Sequence, residues 1–383
     1  DEFLDMTNPR KMMMAAAGGS SAEYNVFAWG DGKYGGLGQG NTTNYSSPVQ
    51  VGSFIVSDDT GNFIDKIGSG QFTTLINNSD GKIYSVGRNA NGQLGHGNTT
   101  DLSTVTGIGS LTTWTRVSAA AAQSSMALKS DGTVWVWGSN NIGRLGVGNT
   151  TNYSSPIQLG ALTTWAFVDA GYQSGHAIKT DATMWGWGKN SGSSWEVGNN
   201  SSTNISSPVQ IGATSDWSKV YSVRAISAAI KTDGTIWTWG NGALGGLGHN
   251  NTTNVSSPVK VGALTDWAQI AVGRYGVVAV KSDGTMWAWG RGASGVNGDG
   301  TATNRSSPVQ IGSETTWLQA SRGEFSCAAV KTDGTLWTWG NGNLGVGGRG
   351  DAASTTAPLQ VGSDTDWKAV EVRDRHCVGI KAA

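Results

Sequence analysis

Residues 267–312 read WAQIAVGRYGVVAVKSDGTMWAWGRGASGVNGDGTATNRSSPVQIG, and this stretch decides the fold. Four short runs in it have strand character: 267–272, 277–282, 285–289 and 308–311. Trp287 and Trp289 stand two apart, so on a strand they point to one face. Asp283-Gly284, between the second and third runs, predicts a type I′ hairpin turn, since glycine takes positive φ without a Cβ clash.

The same text recurs along the chain. Trp-Gly stands at Trp29, Trp137, Trp187, Trp239, Trp289 and Trp339, with Val86-Gly87 in the remaining place. Successive spacings of 57, 51, 50, 52, 50 and 50 residues give seven copies of one unit. Units of this period cannot bury their apolar faces alone and must stack on their neighbours. Asp181-Ala182 replaces Asp-Gly in one copy, which predicts a strained turn or one of another type.

The termini separate a ring from an open solenoid. The last residues, VGIKAA (378–383), match second-strand text with no third strand after it. The first copy, NVFAWG (25–30), is a third strand without a first or second. Together they complete one unit, so the expected fold is an all-β, seven-bladed β-propeller of four-stranded antiparallel blades, closed by N- and C-terminal strands in one blade. The expected division is an N-terminal arm over 1–22 and a propeller over 23–383.

Composition narrows the function. Lys and Arg number 26 against 27 Asp and Glu, and a net charge of -1 argues against a basic nucleic-acid groove. With 18 tryptophans the chain has the apolar payload of a packed fold rather than a disordered one. Nowhere do 18 apolar residues run together, so no transmembrane helix is expected.

The copies resemble the repeat of the regulator of chromosome condensation family, through AVKSDGTMWAWG (279–290) and NANGQLG (89–95) followed by a strand opening near Pro. The resemblance covers roughly 23–383 and implies a seven-bladed propeller. It also implies three candidate activities: nucleotide exchange on a small GTPase, β-lactamase inhibition, and adhesion or virion structure. Exchange would need a protruding wedge. Asp58 and Asp59 lie in the one obvious insertion, 53–61, but nothing else marks a wedge.

No clustered acid, base, nucleophile or ligand set is visible, so neither catalysis, a metal site nor a cofactor is expected. His96, His176, His249 and His376 read as exposed loop histidines. Cys327 and Cys377 occupy matching second-strand slots held elsewhere by Ser125, Gly175 and Ser227, which reads as a small packed residue with a free thiol. Lys129, Lys179, Lys231, Lys281, Lys331 and Lys381 form a partial ring, and an Asp two residues beyond most of them suggests local charge compensation.

Alternating strands place the first-to-second and third-to-fourth loops on one face. The third-to-fourth loops are near copies, whereas the first-to-second loops differ in every unit. Sameness of frame beside difference of loop marks a recognition surface. Its candidate residues are Phe72, Gln123, Tyr172, Arg224, Arg274, Tyr275, Glu324, Phe325, Arg373 and His376. The competing reading is that these residues plug the central channel. In the arm, Phe3, Leu4, Met6, Met12 and Met13 are the expected docking residues, joining protein subunits of a larger assembly.

The resulting expectation is a non-catalytic structural or adhesion propeller of a bacteriophage virion or bacterial surface, binding a protein or surface glycan on the variable loops. No nucleic acid and no membrane insertion are expected. The alternative is a soluble, cytoplasmic protein-binding regulator or enzyme inhibitor acting through the same loop face.

Overall fold

The computed structural model describes residues 23–56, 63–120, 123–192 and 195–383. Among them are seven four-stranded antiparallel sheets arranged as a propeller. Blades 1 to 6 span 67–107, 114–158, 165–210, 217–260, 267–310 and 317–360; blade 7 joins 367–382 to 24–56. Strands are lettered a to d from the channel outward. In blade 5 they are Trp267–Gly273, Gly276–Lys281, Met286–Gly290 and Arg305–Gln310.

Closure follows the split copy. Tyr24–Gly30 pairs along its length with the C-terminal strand His376–Ala382, Tyr24 opposite Ala382 and Gly30 opposite His376. The expected arm residues Phe3, Leu4, Met6, Met12 and Met13 lie outside the described residues.

Burial peaks at strand b and falls to the rim of each blade. In blade 5 strand b is buried throughout, whereas strand d is only half-buried. Prolines 156, 208, 258, 308 and 358 all sit on strand d, where a missing N–H costs no ladder bond and deters edge pairing. Trp287 and Trp289 do share a face, packing with Trp267 against Val223, Ile226 and Leu247 of blade 4. Equivalent clusters fill the six other blade interfaces.

Polar bonds specify the same stacking. The indole Nε1 of Trp339 donates to the Val296 carbonyl of blade 5 at 3.0 Å, and Cys327 Sγ reaches that carbonyl at 3.3 Å. Trp137 and Ser125 converge likewise on Gln93 O, and Trp239 and Ser227 on Glu196 O. In blades 2, 4, 6 and 7 the small slot residue is therefore a second donor to one carbonyl, whereas Gly175 and Val277 fill the slot in blades 3 and 5. Both thiols are free and buried, and burial pushes Cys327 up to about 12.

One turn expectation needs correction, and the strain expected at Asp181-Ala182 is found. At Ser282-Asp283-Gly284 only Gly284 has positive φ, +79°. Gly284 N donates to Lys281 O and Lys281 N to Thr285 O, so the loop has three residues with the glycine as a G1 bulge, not a type I′ pair. Asp283 is selected because its Oδ1 accepts from both Thr285 N and Thr285 Oγ1, and that hydroxyl in turn accepts from Trp287 Nε1. Ala182 keeps the same geometry and is held at φ +60°.

Blade 1 departs most from the repeat, with Ile64 and Val86 where the other blades carry tryptophan and Tyr84 where five of them do. The insertion compensates. Strand d of blade 7 continues to Val56, placing Phe54 edge-on to Tyr84 at 4.7 Å, while Tyr24 meets Phe63 at 4.6 Å. Asp58 and Asp59 lie outside the described residues.

Candidate protein-binding face

The a–b and c–d loops share one end of the ring, as backbone bonds between them show. Asp31 N donates to Arg375 O, and Arg291 N to Tyr275 O, both at 2.9 Å. A side chain on an a–b loop is thus fixed against the start of the c–d loop of its own blade.

The channel behind this face is narrow and lined by polar and apolar side chains alike, with a cavity of about 50 Å³ between the inner strands. Arg116 pairs with Asp65, its guanidinium carbon 3.9 Å from the Phe167 ring centroid. Asp169 accepts from Ser222 N at 2.8 Å, and Glu371 from Ser69 N at 2.9 Å. Burial raises the pKa of both carboxyls, against the pull of the nearby arginines.

At the mouth, Arg224 of blade 4 lies 3.4 Å from Glu324 of blade 6 and 3.3 Å from Asp374 of blade 7. Glu324 also pairs with Arg274 of blade 5. The plug reading therefore holds for part of the predicted set: Arg224, Arg274 and Glu324 tie four blades together, with Asp374 as the fourth member. Arg373 is buried and turns to Glu371 at 3.2 Å. His376 is 0% exposed and shares a contact with Thr74 Oγ1 at 3.2 Å, so it cannot meet a partner. Phe72, Gln123, Tyr172, Tyr275 and Phe325 remain at the face, Phe72 largely covered and the others half-buried.

The histidine reading is corrected too. His176 and His376 are fully buried, and desolvation lowers each pKa to about 4. His96 and His249 are held by Ser85 Oγ and Thr238 Oγ1, both at 2.9 Å. Among the described residues no His, Cys, Asp or Glu group could hold a metal, and no helix is long and apolar enough to cross a membrane.

The c–d loops, near copies of one another in sequence, supply Lys33, Tyr34, Arg88 and Arg291. Arg88 lies 5.0 Å from the Tyr34 ring centroid, and Tyr34 packs edge-on to Phe72 at 5.1 Å. Arg291 lies 4.9 Å from the Phe325 ring centroid and 5.5 Å from that of Tyr275. The available signal was departure from the repeat: Arg88 and Arg291 stand where blades 4 and 6 have Asn241 and Asn341.

The opposite face is occupied by its own contacts. Lys231 Nζ lies 4.7 and 4.5 Å from the ring centroids of Trp217 and Trp237, and pairs with Asp216 at 3.1 Å. Lys281, Lys331 and Lys381 repeat this with Asp266, Glu314 and Asp364. Compensation thus comes mainly from the d–a connection, not from the Asp two residues on, which serves only Lys129, at 3.6 Å.

A closed seven-bladed ring with one uniform face and one varied face defines a propeller of the repeat class anticipated from the Trp-Gly text. The chain belongs to the RCC1-like domain family, whose model matches residues 25–379. It is 31% identical over 153 residues to the ultraviolet-B receptor UVR8 of Arabidopsis thaliana, covering 39% of this chain and 34% of that protein. It is 31% identical over 136 residues to the X-linked retinitis pigmentosa GTPase regulator of Canis lupus familiaris, 35% of this chain and 13% of that one. The matches thus span about a third or less of these curated relatives. Prp20p of Saccharomyces cerevisiae superposes with a TM-score of 0.81 at 18% identity, covering 98% of this chain and 95% of its own. Human WBSCR16 gives 0.78 at 20%, covering 94% and 99%. At these identities the two structures establish the fold.

Proposed function

We propose that this propeller is a non-catalytic module that binds a protein partner through its a–b and c–d loop face, acting as a regulator of that partner. The observation that carries the reading is the contrast between the two ends of one ring. At the opposite face, lysines are held between tryptophan rings and paired with carboxylates. At the loop face, arginine and aromatic side chains differ from blade to blade and stay partly exposed on a fixed frame, the residue types that dominate protein interfaces.

The relatives favour this alternative over the virion or cell-surface expectation, for which they offer no support. Prp20p is a structure described with its binding to Gsp1p and histones, and Kap60 is bound to the same yeast protein. The experiment is affinity purification of the full chain from its native source with three baits: wild type, Tyr275→Ala/Phe325→Ala, and Lys129→Ala on the opposite face. Stoichiometric partners should be lost with the loop-face variant and kept with Lys129→Ala. Loss with Lys129→Ala alone, at unchanged melting temperature, would place the partner on the other face.

A further inference from the structure

Charge is unevenly spread over the loop face. Blades 5, 6, 7 and 1 are consecutive around the ring, and their loops form one arc. From blade 5 it carries Arg274 and Arg291 on either side of Tyr275, with Arg291 also against Phe325 of blade 6. Blade 7 adds Arg375 and Lys33, both exposed, and blade 1 adds Arg88. Lys33 Nζ stands 5.0 Å from the Tyr34 ring centroid and 5.8 Å from that of Phe72, so both ends of the arc are cations laid on aromatic rings.

At the a–b loops and the starts of the c–d loops the carboxylates of this arc lie beneath, whereas Asp101 and Asp351, further along the c–d loops of blades 1 and 6, are exposed, Asp101 accepting from Asn89 N at 2.6 Å and Asp351 lying 3.7 Å from Arg349. Asp31, Glu324 and Asp374 are 6%, 8% and 6% exposed. Glu324 and Asp374 are committed to Arg224, and Asp31 lies 3.8 Å from Arg375 while accepting from Lys33 N. Among the described residues Arg88, Arg291 and Lys33 have no carboxylate within ion-pair distance. What the a–b loops and the starts of the c–d loops offer to solvent along this arc is therefore positive charge and ring edges, although the whole chain carries a net charge of -1.

We infer that this arc, from blade 5 through blade 7 to blade 1, binds an acidic segment of a partner protein, its carboxylates meeting Arg291, Arg375, Lys33 and Arg88. The inference rests on the loop face being the binding face. Guanidinium groups held near aromatic rings lose little freedom on binding and present paired N–H donors that match a carboxylate. A nucleic acid fits less well, because five cations on blades 5, 7 and 1, with none of them on blade 6 between, form no continuous groove for a phosphate backbone, and the molecule's overall field is not attractive to one.

The test is fluorescence anisotropy of the full chain with labelled 16-residue peptides alternating Glu-Gly or Lys-Gly, and with a 16-nucleotide thymidine strand. The Glu-Gly peptide should bind and weaken as salt rises, and Arg88→Glu/Arg291→Glu should lower its affinity at least tenfold at unchanged melting temperature. Lys129→Ala, on the opposite face, should leave it within twofold. Absent Glu-Gly binding, stronger binding of the Lys-Gly peptide or the thymidine strand, or indifference to Arg88→Glu/Arg291→Glu would each overturn the acidic-segment assignment. The broader reading is judged separately: a native partner lost with Tyr275→Ala/Phe325→Ala but kept with Arg88→Glu/Arg291→Glu retains the loop face and rejects the acidic segment.

Discussion

Arg224 on blade 4 holds Asp374 on blade 7 at 3.3 Å across the channel mouth, three blades away in the ring. Most contacts in the propeller join adjacent blades, so this pair and its companion Glu324 are what fix the a–b loops relative to one another. Such a link preorganises a face, lowering the ordering cost of binding.

Replacing Arg224 by Ala should therefore act on the loops more than on the blades. Two buried carboxylates lose a donor, which costs about 1–3 kcal/mol. Amide exchange should quicken at 323–326 and 373–376 and stay unchanged in the b strands. Uniform quickening would mean that the pair supports global stability instead.

The indole-to-carbonyl bond can be isolated by comparing two tryptophans. Trp339 Nε1 donates to Val296 O, whereas Trp289 Nε1 has no acceptor among the described residues. Both are buried at 2% or less. Trp339→Phe should cost about 1 kcal/mol more than Trp289→Phe in urea unfolding. Equal costs would show that the blades are held by packing alone.

Ala182 sits where blades 1, 2, 4, 5 and 6 have glycine, at φ +60°. Ala182→Gly should stabilise by about 1 kcal/mol by relieving the left-handed strain. Gly284→Ala should destabilise by more, since its Cβ would stand 2.1 Å from Thr315 O. Calorimetry of both variants checks the signs.

Buried titratable groups should narrow the stable pH range from both sides. His176 and His376 have folded pKa values near 4, below the unfolded 6.5. The unfolded chain takes up protons first, so their stability contribution is complete above pH 6.5 and falls as pH drops toward 4, by about 3 kcal/mol each. Glu196 runs the other way, raised by burial from 4.5 to about 8. Its contribution is complete below pH 4.5 and is lost as pH rises through 8. Glu196→Gln should flatten the alkaline limb of a stability–pH profile and leave the acid limb intact; an unchanged alkaline limb would remove Glu196 as its cause.

The ring was legible because its determinants are local and repeated: the Trp pair at strand spacing, the turn glycine, and the split copy at the termini. The hairpin type was not, because Asp-Gly serves both a two-residue turn and a G1-bulged loop, and the Thr285 contacts choose between them. His376 was misplaced for a related reason. It follows variable loop text, yet it is the first residue of strand b and turns inward. The cross-ring node was hidden because sequence separation says nothing about which blades face each other over a channel. Arg88, Arg291 and Tyr34 were obscured by loops whose common text drew attention from the few positions that differ.

The most direct measurement of the central claim is hydrogen–deuterium exchange on the full chain with and without its purified protein partner. Binding through the loop face predicts added protection at 31–36, 70–73, 274–276 and 323–326, with the hairpins at 231–235, 281–285 and 331–335 unchanged. Protection confined to those hairpins would contradict the account, because it would place the partner on the lysine–tryptophan face.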